Sequence, residues 1–442
     1  MCSFTEGGIV VRRFVLFGLL ASGVGRLALA QAPPPKLTLK DAEALAIKNH
    51  PQVLAAQSEV GFANQQVVET RSAYYPTVDA DVTGSVANRG SRIGAGYLTD
   101  SRLFNRFGQG LTLSQLITDL GRTPNLVASS RFNAQASEQN FQATRYDVLL
   151  QVNRSYVDVL HAQSLVRVAE ETVAARQLLF DQVNSLAKAN LKSQLDVSFA
   201  DVNVSEAKLL LLRAQESVQG AYAELSRALG SDQVVNYQLV DEPLPPSPPA
   251  KADDLIAQAV TNRPELASLR YSREAAYKFA EAEKDLARPN VSLIGVAGYI
   301  PEIAQLASQP IPSEYAGAAV NVQIPVFNGH LFSARREAAR YRALEADQNL
   351  RNQQERIARD VRVAWASALT AFQRIDVTAQ FLRQASLALD LAQGRYNLGL
   401  SSIVELTQAQ LNLTQAEIEN LSAKYDYQSQ YAALQYSIGL LR

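Results

Sequence analysis

Residues 75–86 read YPTVDADVTGSV. After Pro76 the stretch alternates without a fault. Val78, Ala80, Val82, Gly84 and Val86 fall on one side, and Asp79, Asp81, Thr83 and Ser85 on the other. Period two is the signature of a β-strand, here with one apolar and one acidic face. Three further segments qualify. Residues 107–117 set Leu111 and Leu113 against Thr112 and Ser114; residues 291–300 are apolar on both faces; residues 315–324 set Ala316, Ala318, Val320, Val322 and Ile324 against Asn321 and Gln323. Each is near the ~9–11 residues that a tilted strand needs to cross a bilayer. Aromatic residues bracket them, with Tyr74, Tyr75 and Phe327 at one end and Phe104, Phe107 and Tyr299 at the other. Such rings suit the two membrane interfaces. Segments 77–117 and 290–326 are therefore expected to belong to a transmembrane β-barrel, with the apolar face on lipid and Asp79 and Asp81 on a water-filled pore. An unpaired peptide group in lipid costs several kcal/mol, and the smallest barrels have about eight strands. Four strands cannot close, so chains must associate; three copies supply enough strands for a channel, which predicts a homotrimer.

The rest of the chain reads differently. It has 442 residues, a hydrophobic fraction of 47% and a charged fraction of 19%, which exclude a disordered chain. A net charge of −1 gives no reason to expect a nucleic-acid partner. Arg12 and Arg13 precede an apolar run, residues 14–25, and then Ala28-Leu29-Ala30. That order predicts a cleaved signal peptide over residues 1–30, hence export. The single cysteine, Cys2, leaves with it, so neither a disulfide nor a lipid anchor is expected. No later segment is long and apolar enough for a transmembrane helix.

The stretch DEPLPPSPPA, residues 241–250, divides the remainder. Its prolines forbid helix and favour an extended spacer. The halves around it are related. Asn49-His50-Pro51 matches Asn262-Arg263-Pro264 at an offset of 213, and Pro76 matches Pro289. Further on the offset is 209: Tyr156 faces Trp365, Leu191 faces Leu400, Asp196 faces Glu405 and Gly230 faces Gly439. The domain reading is a first repeat over 31–240, a Pro-rich linker over 241–252 and a second repeat over 253–442. Each half is expected to run helix, strand, loop, strand, long helix, short turn, long helix. Residues 125–219 and 330–393 lack both Gly and Pro, which predicts helices far longer than the usual ~11–12 residues.

Val197, Val204, Leu211, Val218 and Leu225 recur every seven residues, with Ala200, Ala207, Ala214, Ala221 and Ala228 three places later. A strict heptad implies supercoiling against a neighbour. The preceding helix carries two stripes, one through Leu149, Val152, Tyr156, Val159, Val166, Val173 and Phe180, the other through Leu165, Val168, Ala175, Leu179 and Leu186. Two stripes suit a neighbour on each side, as in a curved helical wall; an antiparallel coiled-coil rod explains one of them equally well. The fold class is thus mainly α with a β-barrel part and an internal repeat.

The motifs LTLKDAEALAIKNHPQV (37–53), DDLIAQAVTNRPEL (253–266), IPVFNGHLFSARREA (324–338) and RYNLGLSSIVELTQAQLNL (395–413) together resemble the TolC family of outer-membrane efflux channels. The resemblance covers roughly residues 37–440. It implies a trimer whose twelve-stranded barrel crosses the Gram-negative outer membrane and continues into a periplasmic helical tunnel. It also implies partners, a periplasmic adaptor and an inner-membrane transporter, and a passive duct closed at its helix tips. By motif position the gate residues are Asp196, Tyr396, Ser401, Glu405 and Gln408. Ser401 stands where the family's best-known member has an arginine, and Gln408 where it has an aspartate, so hydrogen bonds are expected in place of ion pairs. The tips Asn190, Leu191, Lys192, Ser193, Leu398, Gly399, Leu400 and Ser401 would meet the adaptor. Leu191 and Leu400 either dock there or pack under their own turns.

No enzyme signature appears, and no cofactor or metal site is expected. His50, His161 and His330 are scattered and read as polar surface residues, and Arg335, Arg336, Arg340 and Arg342 as a solvated face. Two alternatives remain: a duct for type I protein secretion, and a periplasmic coiled-coil adaptor or scaffold without lipid-facing strands.

Overall fold

A computed structural model describes residues 35–85, 106–300 and 313–441, so the expected signal peptide, Val86 and Phe104 lie outside the described residues. The first half runs β1 (Lys36–Leu37), α1 (Leu39–Asn49), α2 (Pro51–Arg71), β2 (Thr77–Ser85), β3 (Arg106–Thr118), α3 (Arg122–Lys188) and α4 (Gln194–Ala228). The second runs β4 (Gln238–Leu239), α5 (Asp253–Asn262), α6 (Pro264–Asp285), β5 (Asn290–Tyr299), β6 (Glu314–Gln323), α7 (Leu331–Asn397) and α8 (Ile403–Ser437). Helices α3 and α7 each have 67 residues, and α4 and α8 each have 35. At ~1.5 Å per residue the long pair reaches roughly 100 Å. The 209-residue offset holds at every one of their ends. It holds even for single residues with positive φ: Leu120 with Gly329, Gly121 with His330, Asn190 with Gly399, and Gly230 with Gly439.

The single helix expected at the head of each half is two helices. A residue before proline is driven out of the helical region, and His50 (ψ 125°) and Arg263 (ψ 121°) are extended. Pro51 and Pro264 then open the next helix, where a missing N–H costs nothing. His50 is not a surface residue: it is buried, and its Nδ1 accepts from the Gln52 N–H at 3.2 Å, capping α2.

Within the chain α3 touches α2 and α6 as well as α4 and α8. Near the strands, Ser130 bonds Thr70 of α2 and Ser129 bonds the Ala275 carbonyl of α6. Farther down, Leu179 and Val183 pack with Val197 of α4 and Leu406 of α8. Of the stripe residues, Leu149, Val152, Tyr156, Val159 and Leu179 are buried whereas Ala175 and Leu186 are exposed, and the heptad alanines Ala200, Ala207, Ala214 and Ala228 are buried. The lower wall thus runs α4–α3–α8–α7, ending at α4 and α7 among the described residues. No described helix is long and apolar enough to cross a membrane.

The Pro-rich segment is a docked belt, not a free spacer. Prolines leave carbonyls without neighbouring N–H donors, so side chains must serve them. Trp365 Nε1 donates to the Pro249 carbonyl at 2.8 Å, Gln428 Nε2 to that of Glu242 at 3.0 Å, and the Tyr427 hydroxyl to that of Pro246. At its head the Tyr156 hydroxyl lies 2.8 Å from the carbonyls of both Leu37 and Val240, where β1 and β4 pair in parallel. Tyr156 and Trp365 are repeat equivalents with the same duty.

Arg335 also departs from the sequence reading. Its guanidinium grips the Glu283 carboxylate through two bonds, 2.7 and 3.0 Å, and Glu283 is 2% exposed. This pair ties α6 to α7 below the sheet. Arg335→Ala strands a buried charge and is expected to cost about 2–3 kcal/mol, reduced from the full buried-pair value because the arginine is half-exposed. Arg340→Ala, which removes a surface pair with Glu337 and a stack over the Tyr341 ring, should cost much less. Thermal unfolding of the two variants in detergent checks the difference.

Candidate functional site

Two regions carry candidate residues, the sheet and the helix tips. The sheet has the order β2-β3-β5-β6, all antiparallel, with the outer edges of β2 and β6 unpaired among the described residues. Its register settles which side chains share a face. Val78, Leu113, Gly295 and Ala318 form one row, and Ala80, Leu111, Ala297 and Ala316 the next. The row above them is Val82, Gln109, Tyr299 and Glu314, where the apolar band gives way to an aromatic and polar border.

The opposite face carries the rows Asp79, Thr112, Val296, Gly317 and Asp81, Gly110, Gly298, Tyr315. β5, which the sequence left two-faced, thus places Ile294, Val296 and Gly298 with the aspartates. Tyr315 lies across the two glycines of its row toward Asp81; a Cβ at Gly110 or Gly298 would collide with its hydroxyl. Aromatic cover of a glycine in a neighbouring strand pins register where the backbone is weakest.

At the far end of the wall the tips are two copies of one turn. In the first, Asn190 (φ 63°) ends α3 and the Leu191 N–H reaches back to the Leu186 carbonyl at 2.9 Å. In the second, Gly399 (φ 73°) ends α7 and the Leu400 N–H reaches the Arg395 carbonyl at 2.8 Å. This closure usually tucks the following apolar residue against its helix. Here Leu191 is 70% and Leu400 67% exposed, so of the two readings offered by the sequence the packed one is excluded. Leu398, Leu195 and Val404 are exposed beside them.

The proposed gate residues occupy these turns with unequal partners. Asp196 is the third residue of a complete capping box: its N–H donates to Ser193 Oγ and the Ser193 N–H to Asp196 Oδ2, both at 3.2 Å. Glu405, its repeat equivalent, keeps half of the box, with its N–H 3.4 Å from Ser402 Oγ. Its carboxylate turns instead to Arg395 Nε at 3.1 Å. This ion pair joins neither Ser401 nor Gln408, and sequence reasoning missed its arginine. The signal lay in the quoted motif, one residue before Tyr396, in a last helical turn where a cation is favourable. Gln408 is exposed and donates to Asn412 Oδ1 at 3.0 Å.

Tyr396 is 4% exposed and packs among Leu179, Val183, Val197, Ile403 and Leu406. Burial, then the Asp196 charge, pushes its phenol above the usual tyrosine range. Neither its hydroxyl nor Ser401 Oγ, both buried, has a hydrogen-bond partner among the described residues. Lys192 Nζ sits 3.9 Å from the Tyr396 ring centroid. Deeper in, Asn203 Nδ2 meets Thr407 Oγ1 at 3.2 Å, a second tie between the hairpins.

A strand set with one apolar face, continuous with a wall of helices about 100 Å long, defines a segment of a membrane-spanning duct. The chain belongs to the outer membrane efflux protein family, whose sequence model matches residues 44–231 and again 255–440, one match per repeat. It is an outer-membrane protein. The outer membrane efflux protein BepC of Brucella suis biovar 1 is 24% identical over 427 residues, covering 94% of this chain and 87% of that protein. The outer membrane protein TolC of Vibrio cholerae is 23% identical, covering 89% of each. The solved outer membrane channel CmeC of Campylobacter jejuni shares the fold with a TM-score of 0.78 at 20% identity, covering 91% of this chain and 85% of that one.

Proposed function

We propose that three copies of this chain close into one passive exit duct, a barrel in the outer membrane above a helical tunnel, receiving substrates from a periplasmic adaptor and an inner-membrane transporter. The observation that carries the reading is the pair of open edges. β6 leads into α7, so β6 and α7 lie on one side of the protomer; β2 and α4 end the other. Each side has what the other lacks, and a head-to-tail contact of this kind gives a ring when its rotation closes, here after three copies. In lipid the strand edges have no alternative to pairing. Asp79 and Asp81 then face the pore, and the exposed leucines of the two tips face the adaptor. In this reading residues 1–30 are removed on export, and the units on either side of the 241–252 belt supply the alternating segments of the wall.

Detergent-solubilised trimers that conduct in planar bilayers test it; a monomer soluble without detergent overturns it. At the tips, Glu405→Ala releases Arg395 and is expected to raise conductance several-fold, while Gln408→Ala, which loses a bond to Asn412 on its own helix, changes it less. Unchanged conductance in both removes them from the gate.

A further inference from the structure

The two hairpins of one chain meet near their tips through apolar packing, the Asn203–Thr407 bond and one contact of another kind. Lys192, in the α3–α4 turn, reaches across to the Tyr396 ring at the end of α7. An ammonium over a ring face is attracted by the ring's quadrupole, more strongly as both lose water. Here the ring is buried and the lysine half-buried. The turn offers Lys192 another partner, the Asp196 carboxylate, which takes one bond from the Ser193 N–H, yet the ammonium lies over the ring. Glu405 is paired with Arg395. The repeat makes the asymmetry plain. Lys192 stands at the position of Ser401, and Tyr396 at that of Ala187, so the first hairpin brings the cation and the second brings the ring.

We propose that Lys192 and Tyr396 form an intrachain clasp that holds the α3–α4 tip against the α7–α8 tip, and that widening of the tunnel mouth requires the ammonium to leave the ring. The clasp itself follows from the contact; its part in opening rests on the duct reading above. Lys192 is then a positioning residue of the closed state and not only part of a docking surface. The ring matters and the hydroxyl, which bonds nothing among the described residues, does not.

The test uses the full chain in detergent, with spin labels at Leu195→Cys and Val404→Cys, exposed repeat equivalents one on each hairpin. Pulsed dipolar distances report tip separation. Lys192→Met and Tyr396→Leu are each expected to raise the separated population roughly fivefold, and the double variant no more than either alone. Lys192→Arg and Tyr396→Phe should keep the parental distribution. An unchanged distribution in Lys192→Met overturns the clasp, as does a Tyr396→Phe that separates the tips as far as Tyr396→Leu. Lys192→Met acts at the surface and leaves the core beneath intact, so it remains decisive where Tyr396→Leu fails to fold. Bilayer recordings separate the two claims: parental protein that never conducts sinks the duct reading, while the distances still decide the clasp.

Discussion

Gly230→Ala is expected to destabilise the protein by more than about 3 kcal/mol, and Gly439→Ala by less, although the two glycines are repeat equivalents. Both end a helix at φ 73°, where a side chain costs roughly 1–2 kcal/mol. They differ in what surrounds them. A Cβ at Gly230 would stand 2.8 Å from the Asn49 carbonyl carbon and oxygen and from His50 Cα. These are backbone atoms, locked by the break between α1 and α2, and they cannot yield. At Gly439 the closest approaches, to the Asn262 carbonyl carbon, Cβ and carbonyl oxygen, are looser, 3.0, 3.0 and 3.1 Å, so a smaller displacement relieves them. Gly399 completes the series: it has the same φ of 73° but nothing within 4 Å, so Gly399→Ala should cost only the backbone term. Its partner Asn190 already shows a side chain living in that conformation. Thermal or urea unfolding of the three alanine variants should rank them Gly230, Gly439, Gly399. Equal losses would mean that backbone conformation alone sets the effect and that the docking of each helix end on the Asn-x-Pro motif adds nothing.

That series also shows what the sequence could and could not disclose. The repeat was legible because the long helices contain no insertion, so one offset runs from Gln115 to Gly230 and fixes four helix ends at once. The heptad of α4 was legible because alanine alternates with valine or leucine on a strict seven-residue period. The strands were legible from their alternation, except β5, whose faces are both apolar and acquire a side only through pairing. What the sequence concealed was non-local or too short to have a period. β1 and β4 are two residues each, and the Tyr156 hydroxyl sits against the carbonyls of Leu37 in β1 and Val240 just after β4. The belt looked like a spacer because proline composition reports what the backbone cannot do, not which Tyr, Trp and Gln side chains will serve its carbonyls. At the tips the residue types were named, but partner choice was not. Asp196 and Glu405 are equivalent in sequence, and only the geometry shows one closing a capping box while the other takes Arg395. Lys192 was assigned to the surface because its ring lies on the other hairpin, 204 positions along the chain.

Lysine scanning along the sheet should show a penalty set by face and depth, and Leu113→Lys should abolish assembly. Leu113 lies in the row of Val78, Gly295 and Ala318, between the apolar row of Ala80, Leu111, Ala297 and Ala316 and a row that holds Gln115, Leu293 and Val320. A cation on the lipid face near the bilayer midplane costs about 2–4 kcal/mol per copy. A trimer would carry it three times over, about 6–12 kcal/mol, as large as the ~5–15 kcal/mol margin of most folded proteins. Ser114→Lys, one residue along the same strand, turns the same side chain to the face of Asp79 and Thr112, where water and a carboxylate receive it; trimers should form normally. Val82→Lys is the intermediate case. It stands on the apolar face, but in the border row with Gln109, Tyr299 and Glu314, and a lysine there can reach the interface at a cost of about 0–1 kcal/mol. The fraction of trimer surviving unheated SDS electrophoresis ranks the three. Face alone predicts that Val82→Lys fails as badly as Leu113→Lys; depth alone predicts that Ser114→Lys fails too. Only a sheet standing in lipid with its aspartates on water orders them Leu113, Val82, Ser114, and any other order places the bilayer elsewhere on the molecule.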